Sequence, residues 1–362
     1  MSKRRFVVVS GFLGSGKTTT MIALSEYLAG RGVKAGIITN DLGSANLVDA
    51  LYTAGSGCAT APIAGACICY VTDALVDRIR RFTDVEGAGI VMSDIPGCGV
   101  GALDHVYFRL HRDYPEDFEL APFTVVCDPM RLRAIMPEHA RLNLPEEMNY
   151  LFRTQLLEAD VIVLNKTDTI SAEEKARCVA FLRAAYPGVP VCAISAKTGD
   201  GVDALAELVM SGKARLVEVD TGYGGREFIA AESRLSWYDR RFFIKRLSPF
   251  SGNAFAEDYM ESIRRELTDE GGNVPHLKLF VTGEGGDFAK VSLTGVDYAL
   301  EFDRRLEREY DRYSVVVNAR AACPSEALDA LMDRALDAAV EKNALSCRVF
   351  STECFGMTDE GR

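Results

Sequence analysis

Near its start the chain reads GFLGSGKT, Gly11 to Thr18, which has the spacing of a phosphate-binding loop. Gly11, Gly14 and Gly16 let the backbone turn its N–H groups inward onto phosphate oxygens, with Ser15 and Thr19 in the same cradle. Lys17 supplies a point charge to the β and γ phosphates, and Thr18 offers its hydroxyl to Mg²⁺. Further along, SDIPG closes an apolar run. Asp94 there suits a Mg²⁺ shell, and Gly97, three residues on, can sense a γ-phosphate through its N–H. NKTD follows another apolar run, and Asp168 in it can accept two hydrogen bonds from the N1 and N2 donors of guanine. Adenine has neither donor, so its binding would leave that carboxylate unpaired. Asn165 is expected to brace the P-loop side, and the Lys166 stem to cover the base. Ser195, Ala196 and Lys197 open SAKTG, resembling a loop whose backbone N–H meets guanine O6. The expected ligands are GTP and Mg²⁺.

A second group of residues asks for different chemistry. GACICY holds Cys67 and Cys69 one residue apart, followed by Tyr70. If this stretch is extended, both thiols point to one face and can share an ion. A four-coordinate site needs one or two more ligands, for which Cys98, beside Gly97, and Cys58 are candidates. In one reading Cys67, Cys69 and Cys98 meet only when GTP is bound, so that hydrolysis releases the ion. In the plainer reading the pair consists of small packed residues, or of a site that has lost its ion. The four histidines, 105, 111, 139 and 276, form no cluster in sequence.

Elements of a particular kind must position these groups. Residues 6–10, 34–39, 88–93, 123–128, 159–165 and 189–194 are short apolar, β-branched runs separated by helical patterns such as 71–82. That rhythm predicts an α/β fold: a P-loop NTPase domain with a mostly parallel sheet flanked by helices. Asp128-Pro129 reads as a helix start. The alternation breaks after residue 211. The expected division is a nucleotide domain over 1–211, a link over 212–234 with TGYGG as its loosest part, and a smaller C-terminal α+β, ferredoxin-like domain over 235–362. In the last, strands are expected near 235–247, 277–282, 288–295, 313–319 and 345–352, with helices over 255–267 and 325–343. The charged run 301–312 reads as a solvated helix face, and Trp237, Tyr238, Phe242 and Phe243 as strand packing.

Bulk composition narrows the partners. At 362 residues, two domains are the natural prior. A net charge of −11 argues against nucleic acid or anionic lipid as the main partner, since both demand a positive surface. No run approaches the roughly 20 apolar residues of a membrane helix, and the basic N-terminus leads straight into the P-loop without a cleavage pattern. A cytoplasmic protein with ten reduced cysteines is expected.

Taken together, GFLGSGKTTT (11–20), TNDLG (39–43), GACICY (65–70), SDIPG (93–97) and NKTD (165–168) resemble the CobW/HypB/UreG family of GTPases, most closely its CobW-like branch. The resemblance is specific over about the first 210 residues and looser beyond. It implies a protein that delivers Zn, Ni or Co to a client metalloprotein, or that guards assembly of a corrinoid enzyme. It also implies a third thiol where this chain has Tyr70, a poor replacement for a soft ligand of Zn²⁺ or Co²⁺. Where CobW-like proteins carry Glu in the Mg²⁺ motif and in the Asn-Glu-Phe-Gly stretch, this chain has Asp94 and Asp41. Asp41 is assigned to ordering the attacking water or a Mg²⁺-bound water, and Lys17, Asp41 and Asp94 make up the expected catalytic set. Two functions remain open: a slow GTPase that loads metal onto a client, and a GTPase chaperone that never touches free metal. A small-molecule kinase is disfavoured by NKTD with SAK. Relatives often form nucleotide-dependent homodimers, but no residue here decides that.

Overall fold

The computed structural model describes residues 3–43, 47–96, 99–137 and 146–356. The chain divides into two compact units: 1–42, 56–142 and 146–228 in the first, 43–55, 143–145 and 229–362 in the second.

The first unit is built on strands whose central residues are apolar on both faces. In β1 (Arg4–Gly11) Phe6, Val7, Val8 and Val9 have no solvent exposure, as a central parallel strand covered on both sides requires. A helix, α1 (Lys17–Ala29), follows the P-loop, and the chain continues through β2 (Ala35–Ile38) and β3 (Asn40–Asp41). After helix α2 (Val48–Gly55) come β4 (Ala59–Thr60), β5 (Ile63–Ala64), α3 (Thr72–Arg80) and β6 (Ile90–Asp94). Helical residues 103–108 run into α4 (Arg109–Asp113), then β7 (Phe118–Leu120), β8 (Thr124–Cys127) and α5 (Pro129–Leu132). The remainder is α6 (Met148–Leu157), β9 (Val161–Leu164), α7 (Ala172–Ala185), β10 (Val191–Ala193) and α8 (Val202–Ser211). The sheet order is β10-β9-β8-β1-β6-β2-β4, every pair parallel, with β7 also on β1. β7 and β8 lie on β1 in succession, separated by a stretch containing Pro122, which has no N–H to give a ladder.

Local chemistry starts the helices where the sequence suggests. Asp128 accepts from the Met130 and Arg131 amides with Pro129 at the first helical position, and Ser171 accepts from the Glu174 amide ahead of α7.

After α9 (Arg226–Glu232), the second unit runs β11 (Ser236–Phe250), α10 (Gly252–Asp269), β12 (His276–Thr282), β13 (Phe288–Leu293), β14 (Glu301–Arg304), β15 (Tyr310–Ala321), α11 (Ser325–Lys342) and β16 (Ser346–Gly356). Its antiparallel sheet has the order β14-β13-β12-β15-β11-β16. Without the β13–β14 hairpin this is the split βαβ pattern of a ferredoxin-like domain. Tyr238, Phe242 and Ile244 share a core with Phe255, Tyr259 and Ile263 of α10 and Leu328 and Met332 of α11. The charged run 301–312 is not the helix expected. Phe302 pairs with Val291 and Arg304 with Lys290, and Asp303 forms an ion pair with Lys290, so its front half is an edge strand.

α2 belongs to this second unit although its neighbours in sequence belong to the first. The Val48 amide donates to Asn318 Oδ1 at 2.6 Å, Asp49 pairs with Lys278, and Tyr52 meets Phe288 edge-on with the Lys290 ammonium over its ring.

Candidate nucleotide and thiol site

β1 delivers the P-loop between β6 and β8, at the carboxyl end of the sheet where ligands of such folds bind. Gly11 has a φ of 134° and a side-chain carbon there would sit 2.0 Å from the Val126 carbonyl oxygen. Gly16, at φ 95°, would place one 2.3 Å from Asn165 Nδ2. Both positions exclude any side chain, and with Gly14 at φ 75° they shape a cradle of backbone rather than side chains. Ser15 ties the loop by donating to the Phe12 carbonyl at 2.8 Å, while Lys17 Nζ donates to the Gly11 carbonyl at 2.8 Å. Thr18 is buried at the start of α1, next to Thr19.

Asn165 connects this loop to the base side. Its Nδ2 donates to the Ser15 carbonyl at 2.9 Å, and its Oδ1 accepts from the Ala196 amide at 3.0 Å. Lys166 takes the left-handed conformation at φ 59°, turning the chain so that Asp168 stands exposed with Oδ1 accepting from the Ser195 hydroxyl at 2.7 Å. Lys197 is exposed beside it. Thus Gly11 to Thr18, Asn165 to Asp168 and Ser195 to Lys197 come together at one end of the sheet.

Asp94 lies one strand from the loop, since β1 and β6 pair Val9 with Asp94. It is buried, and its Oδ1 accepts from the Asn40 amide at 2.7 Å. The Thr18 hydroxyl and Asp94 carboxylate are hard oxygen donors, and this donor set fits Mg²⁺. Gly97 and Cys98 lie outside the described residues. Asp41 is half-buried in β3, opposite Ala64 of β5.

The cysteine pair is not extended. Tyr70 donates its amide to the Cys67 carbonyl at 2.9 Å, closing a turn, and the Cys69 amide donates to Cys67 Sγ at 3.4 Å. The turn, not strand alternation, brings the thiols together. They share a hydrogen bond that, with burial, pushes the Cys69 thiol far above its usual range. Among the described residues no three His, Cys, Asp or Glu side chains are grouped to hold a metal. Cys58 is engaged elsewhere, its thiol bonded to Ser25 of α1. The Tyr70 hydroxyl meets that of Tyr223, whose ring packs on His105 and Phe228 at 4.6 and 4.8 Å. TGYGG is therefore pinned, with Tyr150 donating to the Thr221 carbonyl as well.

Two residues of this site are given no role by the sequence: Asn40, which lies inside the TNDLG stretch, and Glu158. Asn40 accepts at Oδ1 from the Ile68 amide at 3.0 Å, and its Nδ2 donates to the Ala66 and Ile63 carbonyls at 2.6 and 3.1 Å. Glu158, at 2% exposure, accepts from the Gly101 and Leu103 amides, each at 3.0 Å, and so holds the start of the helical stretch that follows SDIPG. Burial pushes its carboxyl up to about 7 against those two donors. A Glu in LLEAD reads as a surface residue until the fold buries it.

Residues 5–192, more than half of the chain, match the CobW/HypB/UreG nucleotide-binding domain. The chain belongs to the CobW/HypB/UreG family. Within it the similar proteins are CobW-like. The chain is 24% identical over 249 residues to the zinc chaperone CobW of Pseudomonas aeruginosa, covering 59% of this chain and 64% of that protein. It is 28% identical over 169 residues to the zinc chaperone YeiR of Escherichia coli K12, covering 46% and 48%. The match thus spans about half to under two thirds of the length of these relatives. Among solved structures it is similar to nickel-bound HypB of Helicobacter pylori, at 14% identity and a TM-score of 0.40 over 57% of this chain and 84% of that one. It is also similar to the Zn(II)-bound YjiA GTPase of E. coli, at 16% identity and a TM-score of 0.35 over 92% and 99%. Among the described residues of this CobW-like chain, no helix is long and apolar enough to cross a membrane.

Proposed function

We propose that this protein binds GTP with Mg²⁺, hydrolyses it slowly, and couples its nucleotide state to delivery of a transition metal to a client metalloprotein. The observation that carries the reading is the pair of hydrogen-bonded thiols, Cys67 and Cys69, held on a turn in the same unit as the P-loop and NKTD. Two adjacent thiols suit a soft cation as cargo, and both curated relatives are called zinc chaperones, which supports Zn²⁺ over Co²⁺.

In this reading the P-loop amides and Lys17 hold the phosphates, and Asp168 takes the two guanine donors while Asn165 keeps base loop and phosphate loop in register. Thr18 and Asp94 hold Mg²⁺, which when bound offsets charge on the β and γ oxygens. Asp41 orders the attacking water. Arg131 stacks over Phe12 of the loop but is buried and bound to Asp128 at 2.9 Å, so it supplies no free charge for the transition state. Slow turnover in isolation follows.

A second reading has its own observation. Tyr70 stands where a third thiol is expected, and its hydroxyl is engaged with Tyr223. That arrangement favours a GTPase chaperone for a metalloenzyme or corrinoid enzyme that carries no metal itself. Anaerobic titration of Zn²⁺ and Co²⁺ with GDP or a non-hydrolysable GTP analogue separates the two. Thiolate-to-Co²⁺ charge-transfer absorption that depends on the analogue and is lost in Cys67→Ser supports metal delivery. No such absorption in either state leaves the chaperone.

A further inference from the structure

Asn40 joins two parts of the molecule that the proposed function needs to communicate. Its backbone N–H donates to Asp94 Oδ1 at 2.7 Å, on the Mg²⁺ side of the nucleotide site. Its side chain reaches the other way. Nδ2 donates to the Ala66 carbonyl at 2.6 Å and Oδ1 accepts from the Ile68 amide at 3.0 Å. Those two residues flank Cys67, so both neighbours of the thiol end on one carboxamide. The amide is 5% exposed, and its second N–H is used on the Ile63 carbonyl at 3.1 Å.

We propose that Asn40 is the positioning residue through which a shift of the Asp94 carboxylate moves the Cys67 thiol. The proposal rests on the nucleotide-coupled reading above and gives it a physical route. A buried N–H or C=O that loses its partner is penalised in full, whereas moving with the partner costs little. When Asp94 moves, the Asn40 peptide follows to keep its bond. Asn40 has only two side-chain torsions, so its carboxamide follows the peptide, and Ala66 and Ile68 follow the carboxamide for the same reason. The backbone ladder supports the relay up to the turn and no further: β3 pairs Asn40 with Ile63 and Asp41 with Ala64, and the Gly65 amide donates to the Asp41 carbonyl at 3.1 Å. Beyond Gly65 the side chain of Asn40 carries the connection. Because the peptide N–H remains in any substitution other than proline, Asn40→Ala removes the thiol arm while leaving the Asp94 arm in place. Asn40→Asp keeps an acceptor for Ile68 but turns an acceptor toward the Ala66 and Ile63 carbonyls.

The test reads thiol chemistry on the metal-free full chain. Alkylation of Cys67 by iodoacetamide is timed by mass spectrometry with Mg²⁺ and either GDP or a non-hydrolysable GTP analogue. In the wild type the two rates differ by about fivefold or more, the lower end of ordinary coupling between sites. In Asn40→Ala and Asn40→Asp the ratio falls to about one while GDP and the analogue bind as tightly as before. Retention of the wild-type ratio in both variants overturns the proposal and leaves the coupled function standing. A wild-type ratio of one overturns the proposal and the coupled function together. A normal ratio without metal binding in the titration above overturns only metal delivery. Should the variants not fold, hydrogen exchange of the wild type decides: protection of the Ile68 amide must change with nucleotide, and unchanged protection overturns the proposal.

Discussion

At Asp168 one oxygen already accepts from Ser195, and the exposed carboxylate is available to the two donors of guanine. Asn in its place offers one donor and one acceptor, which fits xanthine, where a carbonyl replaces the amino group. Asp168→Asn should weaken GTP binding by roughly 100-fold or more and restore much of it for xanthosine triphosphate, measured by competition against a fluorescent nucleotide. Gly16 is as narrowly determined: Gly16→Ala drives a methyl into Asn165 Nδ2 and strains φ 95°, so nucleotide binding should be lost while the far sheet edge stays folded. Glu158 makes a prediction about pH. Burial pushes its carboxyl up to about 7 in the folded chain from the ordinary 4.5 of a glutamate, so between these the folded state holds the extra proton. Stability contributed by the protonated form is present below the unfolded value and is lost as pH rises through about 7. Unfolding free energies at pH 5 and pH 8 should therefore fall by on the order of 1–3 kcal/mol more in the wild type than in Glu158→Gln. Equal pH slopes would show that Glu158 is not buried as described.

At the scale of elements, α2 is the informative case. Its polar anchors are specific, because Asp49 meets Lys278 and the Val48 amide is taken by Asn318. Both charges are mostly buried, at 17% and 13% side-chain exposure, so removing one partner strands the other. Asp49→Ala and Lys278→Ala should each cost about 2–4 kcal/mol in urea unfolding of the second unit, and the double variant less than their sum. Strict additivity would mean that the pair is absent in solution. The run 301–312 teaches the converse lesson. Its charges suit a helix surface, yet Lys290 on the neighbouring strand gives Asp303 a partner and the hairpin takes the segment as an edge. Local charge pattern decides little when a sheet offers a ladder and a counter-ion together.

For the whole molecule, the two units interleave along the chain, since residues 43–55 lie in the sequence of the first and pack in the second. A chain ended at residue 228 keeps α2 without the sheet it covers, leaving Val48 and Tyr52 exposed. It should bind hydrophobic dye and aggregate on gel filtration where the full chain does not. The full chain alone should turn GTP over at about 10⁻²–10⁻⁴ s⁻¹, and a rate of many per second without a client would contradict the slow, client-coupled GTPase proposed above. The sequence by itself determined the P-loop GTPase class and placed the P-loop, Asp94 and NKTD at one end of the sheet, because these are short segments whose glycines, caps and flanking apolar runs impose their own geometry. It also determined the parallel sheet and the second, ferredoxin-like domain, because burial on one or two faces leaves a period in the residues. Only the tertiary structure decided that Cys67 and Cys69 sit on a turn, that Tyr223 reaches Tyr70, that Glu158 is buried, and that Asn40 spans from Asp94 to the backbone on either side of Cys67. The last three are contacts between residues remote in sequence made by a single polar group, which imposes no pattern on its neighbours, and the turn at Cys67 is a local choice that a CxC spacing leaves open.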